Sequence, residues 1–176
     1  MPELPEVETM CRGLAVVAGR TIAAVEFPRS RVRPLSVAPP PARLAARIVG
    51  RTIVAVHRRG KRVILELAGV GTTTLWLAIE PRMTGLMLVA EPPSPEHVRM
   101  VVRLAPRRGG PGWFLFWDRR GLGTIRLLDA RGLESACGVG KLGPDGLTIT
   151  AADLETALGR SRRAVKVALL DQRAVA

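Results

Sequence analysis

Between Thr21 and Leu128 the chain is written as short apolar, β-branched stretches broken at glycine- and proline-bearing turns, and few folds accept that pattern. The stretches are Thr21–Phe27, Thr52–His57, Arg62–Leu67, Thr73–Ile79, Gly85–Val89, Val98–Leu104, Trp113–Trp117 and Gly123–Leu128. Each is too short for a stable helix and is bounded by turn residues, which predicts strands. Many short strands at this spacing point to an antiparallel β-sandwich or barrel with helices at its edges. Val98–Leu104 and Trp113–Trp117 are expected to form a hairpin across the Arg107–Gly112 turn. The phrase Gly-Arg-Thr-Ile-x-Ala-Val occurs at both Gly19 and Gly50, marking two similar strand starts. Between them, Pro34–Pro41 is expected as a proline-rich loop and Ala42–Ile48 as a short helix.

Helices flank this region. Val7, Met10, Cys11, Leu14 and Val17 recur at helical spacing, so a helix from Pro5 to Val17 should lay one face on the core. After Asp129 the texture changes. Gly143-Pro144-Asp145-Gly146 reads as a linker-like turn, Thr150–Leu158 as a helix with Thr150 as N-cap and Asp153 at N3, and Arg163–Leu170 as another helix. The expected organisation is mainly β with α: a sandwich domain with its N-terminal helix over residues 1–130, a linker over 131–149, and the start of a helical domain over 150–176. That last segment is too small for a core of its own.

The 176 residues carry 27 basic against 15 acidic side chains, a net charge of +12, with 47% hydrophobic content. The apolar share is ample for a core, and the charge favours a polyanionic partner such as nucleic acid. Only Lys61, Lys141 and Lys166 are lysines; every other basic residue is arginine. In so arginine-rich a chain a lysine marks a place where an ammonium can give up a proton, which guanidinium does not do. Cys11 and Cys137 are too few for a four-cysteine zinc site. No leader-like N-terminus and no long apolar run occurs, so the expectation is a soluble, intracellular protein with no membrane association.

The chain opens Met1-Pro2-Glu3-Leu4-Pro5-Glu6-Val7-Glu8-Thr9. Removal of Met1 leaves Pro2 with a free secondary amine, a nucleophile that adds to an aldehydic carbon to form a cationic iminium. An α-amino group with a reference pKa of about 7.7–8 is partly unprotonated near neutrality. Glu3 stands beside it as a proton donor, and Glu6 lies one helical turn on. A plainer alternative is an ordinary helix start, with proline and acids in the first turn.

This string closely resembles the N-terminus of formamidopyrimidine-DNA glycosylases, a base-excision family that includes endonuclease VIII; Leu4 is similar to the formamidopyrimidine branch. The resemblance continues along the chain. Arg58-Arg59-Gly60-Lys61 matches a turn whose lysine is the family's proton donor for β-elimination, against the alternative of a solvated basic turn. Met83-Thr84-Gly85 resembles the turn that inserts its methionine into the gap left by an extruded base, where an unbranched thioether adapts to stacked bases. Asp118-Arg119-Arg120-Gly121-Leu122-Gly123 resembles the family's Asp-Pro-Arg-Arg-Phe-Gly turn. Arg120 then matches the arginine facing the orphaned cytosine, while the second arginine is Gly121 here and the intercalating phenylalanine is Leu122. His97 falls near a His-rich strand start, as a phosphate contact or a structural histidine. Arg162 and Lys166 precede Ala168-Leu169-Leu170-Asp171-Gln172, which is similar to the start of the family's helix–two-turn–helix domain.

The resemblance implies a bifunctional glycosylase/AP lyase acting on oxidised purines in double-stranded DNA: Pro2 attacks C1′, Glu3 protonates, Lys61 supports β-elimination, and Glu6 positions the helix and the sugar. Met83, Arg120 and Leu122 would fill the void, with His97, Arg162 and Lys166 as further DNA contacts. No metal or organic cofactor is expected, because the amine chemistry needs none and the family's zinc finger, like its phosphate-binding Gly-x-Gly-Asn-x-Tyr turn, lies beyond these residues. The expected state is a cytoplasmic, nucleoid-associated monomer, with association through the apolar face around Val165, Leu169 and Leu170 as an alternative. A different class of function is a non-catalytic DNA-binding remnant, and an unrelated RNA-binding β-sandwich conflicts with the N-terminal string.

Overall fold

The computed structural model describes residues 2–31, 33–69, 73–138, 140–159 and 161–176. The chain divides into two compact units, Met1–Asp129 and Ala130–Ala176.

The first unit opens with helix α1 (Leu4–Leu14), followed by a 3-10 turn over Ala15–Val17. It presents Val7, Met10, Cys11 and Leu14 inward, the face its spacing predicts. Strand β1 (Ile22–Glu26) follows, then β2 (Ser36–Ala38), helix α2 (Pro41–Ile48), β3 (Thr52–Arg59), β4 (Arg62–Ala68), β5 (Leu75–Glu80), β6 (Gly85–Leu88), β7 (Val98–Leu104), β8 (Trp113–Asp118) and β9 (Thr124–Leu128). They form a four-stranded sheet in the order β1-β7-β8-β6 and a five-stranded sheet in the order β2-β9-β5-β4-β3. One hydrophobic cluster draws on both sheets and both helices, including Val7, Leu14, Leu44, Ile48, Ile53, Val63, Leu65, Leu67, Met87, Phe114, Phe116 and Ile125. The sandwich is therefore as expected. Val63, Leu65 and Leu67 reach this core at the two-residue period of a strand.

Two differences from the sequence reading stand out in this unit. The Pro34–Pro41 loop contains β2, which runs parallel to β9 with Ser36 opposite Thr124, so the sheets are not wholly antiparallel. A three-residue edge strand among prolines offers no alternation to read. The helix expected over Pro5–Val17 tightens to a 3-10 turn after Leu14.

The repeated Gly-Arg-Thr-Ile phrase pairs with itself. The Ile22 N–H donates to the Arg51 carbonyl at 2.9 Å and the Ile53 N–H to the Arg20 carbonyl at 2.9 Å. The Gly19 and Gly50 amides reach the Ile53 and Ile22 carbonyls. Both glycines have positive φ, and both arginines are buried with carbonyl partners, Ala105 for Arg20 and Arg47 and Thr73 for Arg51.

The second unit holds helices α3 (Ala130–Cys137), α4 (Ala151–Gly159) and α5 (Val165–Leu169). Helix α3 corrects the expectation of a plain linker over 131–149. The Thr150 cap forms as read, the Asp153 N–H donating to Thr150 Oγ1 at 3.2 Å. Among the described residues no helix is long and apolar enough to cross a membrane.

Candidate active site

Strand register decides which turns of the first unit meet. Val63 pairs with Ile79, Glu80 with Thr124, and Thr124 with Ser36. The β3–β4 turn with Lys61, the 81–84 segment with Met83, and Gly123 therefore share one end of the five-stranded sheet. In the other sheet Gly85 pairs with Asp118 and Val98 with Trp117, which brings Thr84, Arg119–Leu122 and His97 to that same end. Both crossings between the sheets here, 81–84 and 119–123, are turns that carry candidate residues.

The start of α1 lies against the Lys61 turn. Lys61 Nζ forms an ion pair with Glu3 Oε2, the carboxylate adjoining the half-buried Pro2. An ammonium–carboxylate pair beside a secondary amine is equipped to pass protons. Glu6 is exposed, and its carboxylate accepts the Glu3 N–H at 2.9 Å. Hydrogen bonds from its own backbone amide and from that of Glu3 hold Glu6 below the usual carboxylate range. One turn on, Glu8 takes Arg12 Nε at 2.8 Å and Arg58 Nε at 3.1 Å. The Arg58 side chain is only 4% exposed, so this contact ties α1 to the end of β3.

At the second turn Met83 is 38% exposed, and Arg82 before it is a non-glycine residue at φ 57°. That left-handed conformation costs about 1–2 kcal/mol. Asp118 is fully buried. Its Oδ1 accepts from Thr84 Oγ1 at 2.5 Å and the Arg120 N–H at 3.1 Å, and its Oδ2 from the Gly123 N–H at 2.8 Å. The Asp118 carbonyl accepts Arg99 Nε at 2.8 Å. Arg120 is exposed, Leu122 half-buried, and Gly121 sits at φ 63° against the Arg33 carbonyl, where an added Cβ would come within 2.5 Å. His97 stands edge-on to Trp117 with ring centroids 5.6 Å apart. The buried side-chain polar atoms without a hydrogen-bond partner among the described residues are Arg62 Nη1, His97 Nδ1 and Arg99 Nη2, all near this end.

Residues 1–125 match the sequence profile of the formamidopyrimidine-DNA glycosylase N-terminal domain. The chain belongs to that family. It is 39% identical over 182 residues to the formamidopyrimidine-DNA glycosylase of Chloroflexus aurantiacus, covering all of this chain and 60% of the relative. The Synechocystis protein of the same name is 40% identical over 188 residues, covering all of this chain and 62% of the relative. Among solved structures, a complex of the Lactococcus lactis Fpg with DNA containing an abasic site superposes with a TM-score of 0.76 at 27% identity, covering 99% of this chain and 62% of that one. A complex of the same bacterial protein with N7-benzyl-Fapy-dG DNA also has a TM-score of 0.76, at 27% identity and the same coverage. The chain thus spans about 60% of the length of the glycosylases it matches.

Of the residues singled out from the sequence, the first unit of this family member places Lys61, Met83, His97, Arg120 and Leu122 on or beside turns at one end, with Pro2, Glu3 and Glu6 at the start of α1. Arg162 and Lys166 lie in the second unit, both exposed. Arg162 lines a cavity of about 610 Å³ with Asp153, Ser161, Arg163, Asp171 and Arg173. Among the described residues no three His, Cys, Asp or Glu side chains converge as metal ligands. Arg99 and the Glu8–Arg58 pair carry no expectation from the sequence, and Asp118 and Thr84 stand there only as members of their turn motifs, without a role. Asp118 had two visible signals: it opens the turn that resembles the family's Asp-Pro-Arg-Arg-Phe-Gly, and it is an acidic residue ending a strand that is otherwise wholly apolar.

Proposed function

We propose that this chain carries the catalytic part of a bifunctional DNA glycosylase/AP lyase of base-excision repair, acting on oxidised purines in double-stranded DNA. The observation that carries the reading is the Glu3–Lys61 ion pair beside Pro2, at the same end of the sandwich as Met83, Arg120 and Leu122. The Pro2 amine lone pair forms the bond to C1′ as the bond from C1′ to the base breaks, with Glu3 assisting protonation and base departure. The C1′–O4′ bond then breaks, O4′ taking up a proton as the sugar ring opens, and the resulting iminium acidifies the C2′ proton. Its loss expels the 3′ phosphate by β-elimination, with Lys61 supporting proton movement. Glu6 fixes the helix start that aims Glu3. Met83, Arg120 and Leu122 fill the vacated space, while His97, Arg162 and Lys166 serve as further DNA contacts. The amine chemistry itself requires no metal or organic cofactor. The first unit is the catalytic domain, the second is the start of a helix–two-turn–helix domain, and the protein works in the cytoplasm on nucleoid DNA.

The test is scission of a duplex bearing one oxidised purine, read on a denaturing gel beside a duplex bearing an abasic site. Glu3→Gln should slow release of the oxidised base by about 10²–10⁴-fold, since it removes a proton donor. The abasic duplex, from which no base must depart, should still be cleaved. Equal loss on both substrates would contradict the role given to Glu3. DNA binding without any scission by the wild type would favour a non-catalytic remnant.

A further inference from the structure

We propose that Thr84 and Asp118 are positioning residues that clasp the two void-filling turns together, so that Met83 and Arg120 enter an opened duplex as one unit; this deepens the DNA-repair reading above and rests on it. Met83 and Arg120 stand on different crossings between the sheets, and both side chains are long, exposed and rich in rotamers. Inserting two such groups is costly unless their backbones are already fixed relative to each other.

The clasp supplies that fixing. The Arg120 N–H donates to both Thr84 Oγ1 and Asp118 Oδ1, each at 3.1 Å, while the Thr84 hydroxyl donates to the same Asp118 oxygen at 2.5 Å. One carboxylate and one hydroxyl thus join the backbone next to Met83 to the backbone of Arg120. Hydrogen bonds to an ionised carboxylate are short and roughly twice as strong as neutral ones. A fully buried carboxylate cannot give up these donors without penalty.

Each turn is also pinned at its far end. A Cβ on Gly85 would lie 2.5 Å from the Pro81 carbonyl oxygen and 2.8 Å from the Phe116 ring, and one on Gly123 would lie 2.6 Å from that same ring. Arg99 holds the Asp118 carbonyl from beneath. Arg82, in its left-handed conformation immediately before Met83, is the kind of local strain that persists only where surrounding contacts over-determine it.

Thr84→Val removes the hydroxyl and keeps the shape; Thr84→Ser restores the hydroxyl. Two quantities are read: amide hydrogen exchange at Arg120 and Gly123, and the ratio of affinities for abasic-site and intact duplex. A ratio is insensitive to the fraction of protein folded, so a purely structural role would leave it unchanged. Thr84→Val should speed exchange at the Arg120 amide at least about tenfold and lower the abasic preference about tenfold, about 1.4 kcal/mol. Thr84→Ser should restore both to within about twofold. Wild-type preference in Thr84→Val, or its loss in Thr84→Ser, overturns the proposal. If Thr84→Val does not fold, Asp118→Asn decides by the same two readings, since it keeps the shape and replaces one of the two accepting oxygens by a donor amide. Wild-type protein with no abasic preference contradicts the DNA-repair reading itself, while exchange still reports whether the clasp holds the turns.

Discussion

Cys11 shows how strongly burial, with the Glu8 carboxylate nearby, governs a side chain in this domain. It packs on the core face of α1, its thiol directed at the His57 carbonyl at 3.4 Å, and burial pushes its pKa from 9.0 up to about 12. Thiolate is the reactive form, so Cys11 should be inert near neutrality. In a Cys137→Ser variant, where Cys11 is the remaining cysteine, Ellman's reagent at pH 8 should find no rapidly reacting thiol until denaturant is added. Rapid reaction in the folded protein would show that the α1 face opens. The same raised pKa makes the folded state hold a proton that the unfolded state releases, so its contribution to stability is intact below pH 9 and declines as pH climbs toward 12.

Two kinds of fastening keep the elements in place. Glu8 ties α1 to β3 through the nearly buried Arg58, and the Arg12 guanidinium beside it, with Arg58, holds its carboxyl below the ordinary value of 4.5. A lowered carboxylate pKa gives stability that is present above pH 4.5 and lost as pH falls through the folded value. Glu8→Gln should cost about 1–2 kcal/mol at pH 7 in chemical denaturation, and its difference from wild type should vanish in acid. A deficit that persisted at low pH would show that shape, not charge, matters there. The second fastening is close packing at Gly85, where a methyl group would strike Pro81 and Phe116. Gly85→Ala should destabilise by about 1–3 kcal/mol, and a neutral result would mean that the turn has room to shift. At this scale the strands were legible because a two-residue period and turn residues are local signals. Helix α3 and strand β2 were not: α3 follows β9 after one residue and buries only Cys137, and β2 has three residues among prolines. The repeated Gly-Arg-Thr-Ile phrase was visible, but that its two copies pair is a tertiary fact.

Across the whole first unit, a sandwich with an N-terminal helix collects one group of turns at one end and so turns scattered residues into a site. Glu3 and Lys61 were legible one by one, each from its own motif, whereas their ion pair required coordinates. The Thr84–Asp118 clasp was not legible either, because its members are 34 residues apart and meet only through strand register. The two departures at Gly121 and Leu122 were readable as substitutions, whereas the fit of Gly121 against the Arg33 carbonyl required coordinates. All of this arrangement serves the claim that the Pro2 amine attacks C1′. The measurement that tests it most directly is borohydride trapping on duplex DNA with an abasic site, using protein whose mass shows that Met1 has been removed, beside a Pro2→Gly control. The account predicts a covalent protein–DNA adduct for the wild type that is lost, or falls by orders of magnitude, in Pro2→Gly. An adduct of equal yield in Pro2→Gly, or none from folded wild-type protein, would contradict it.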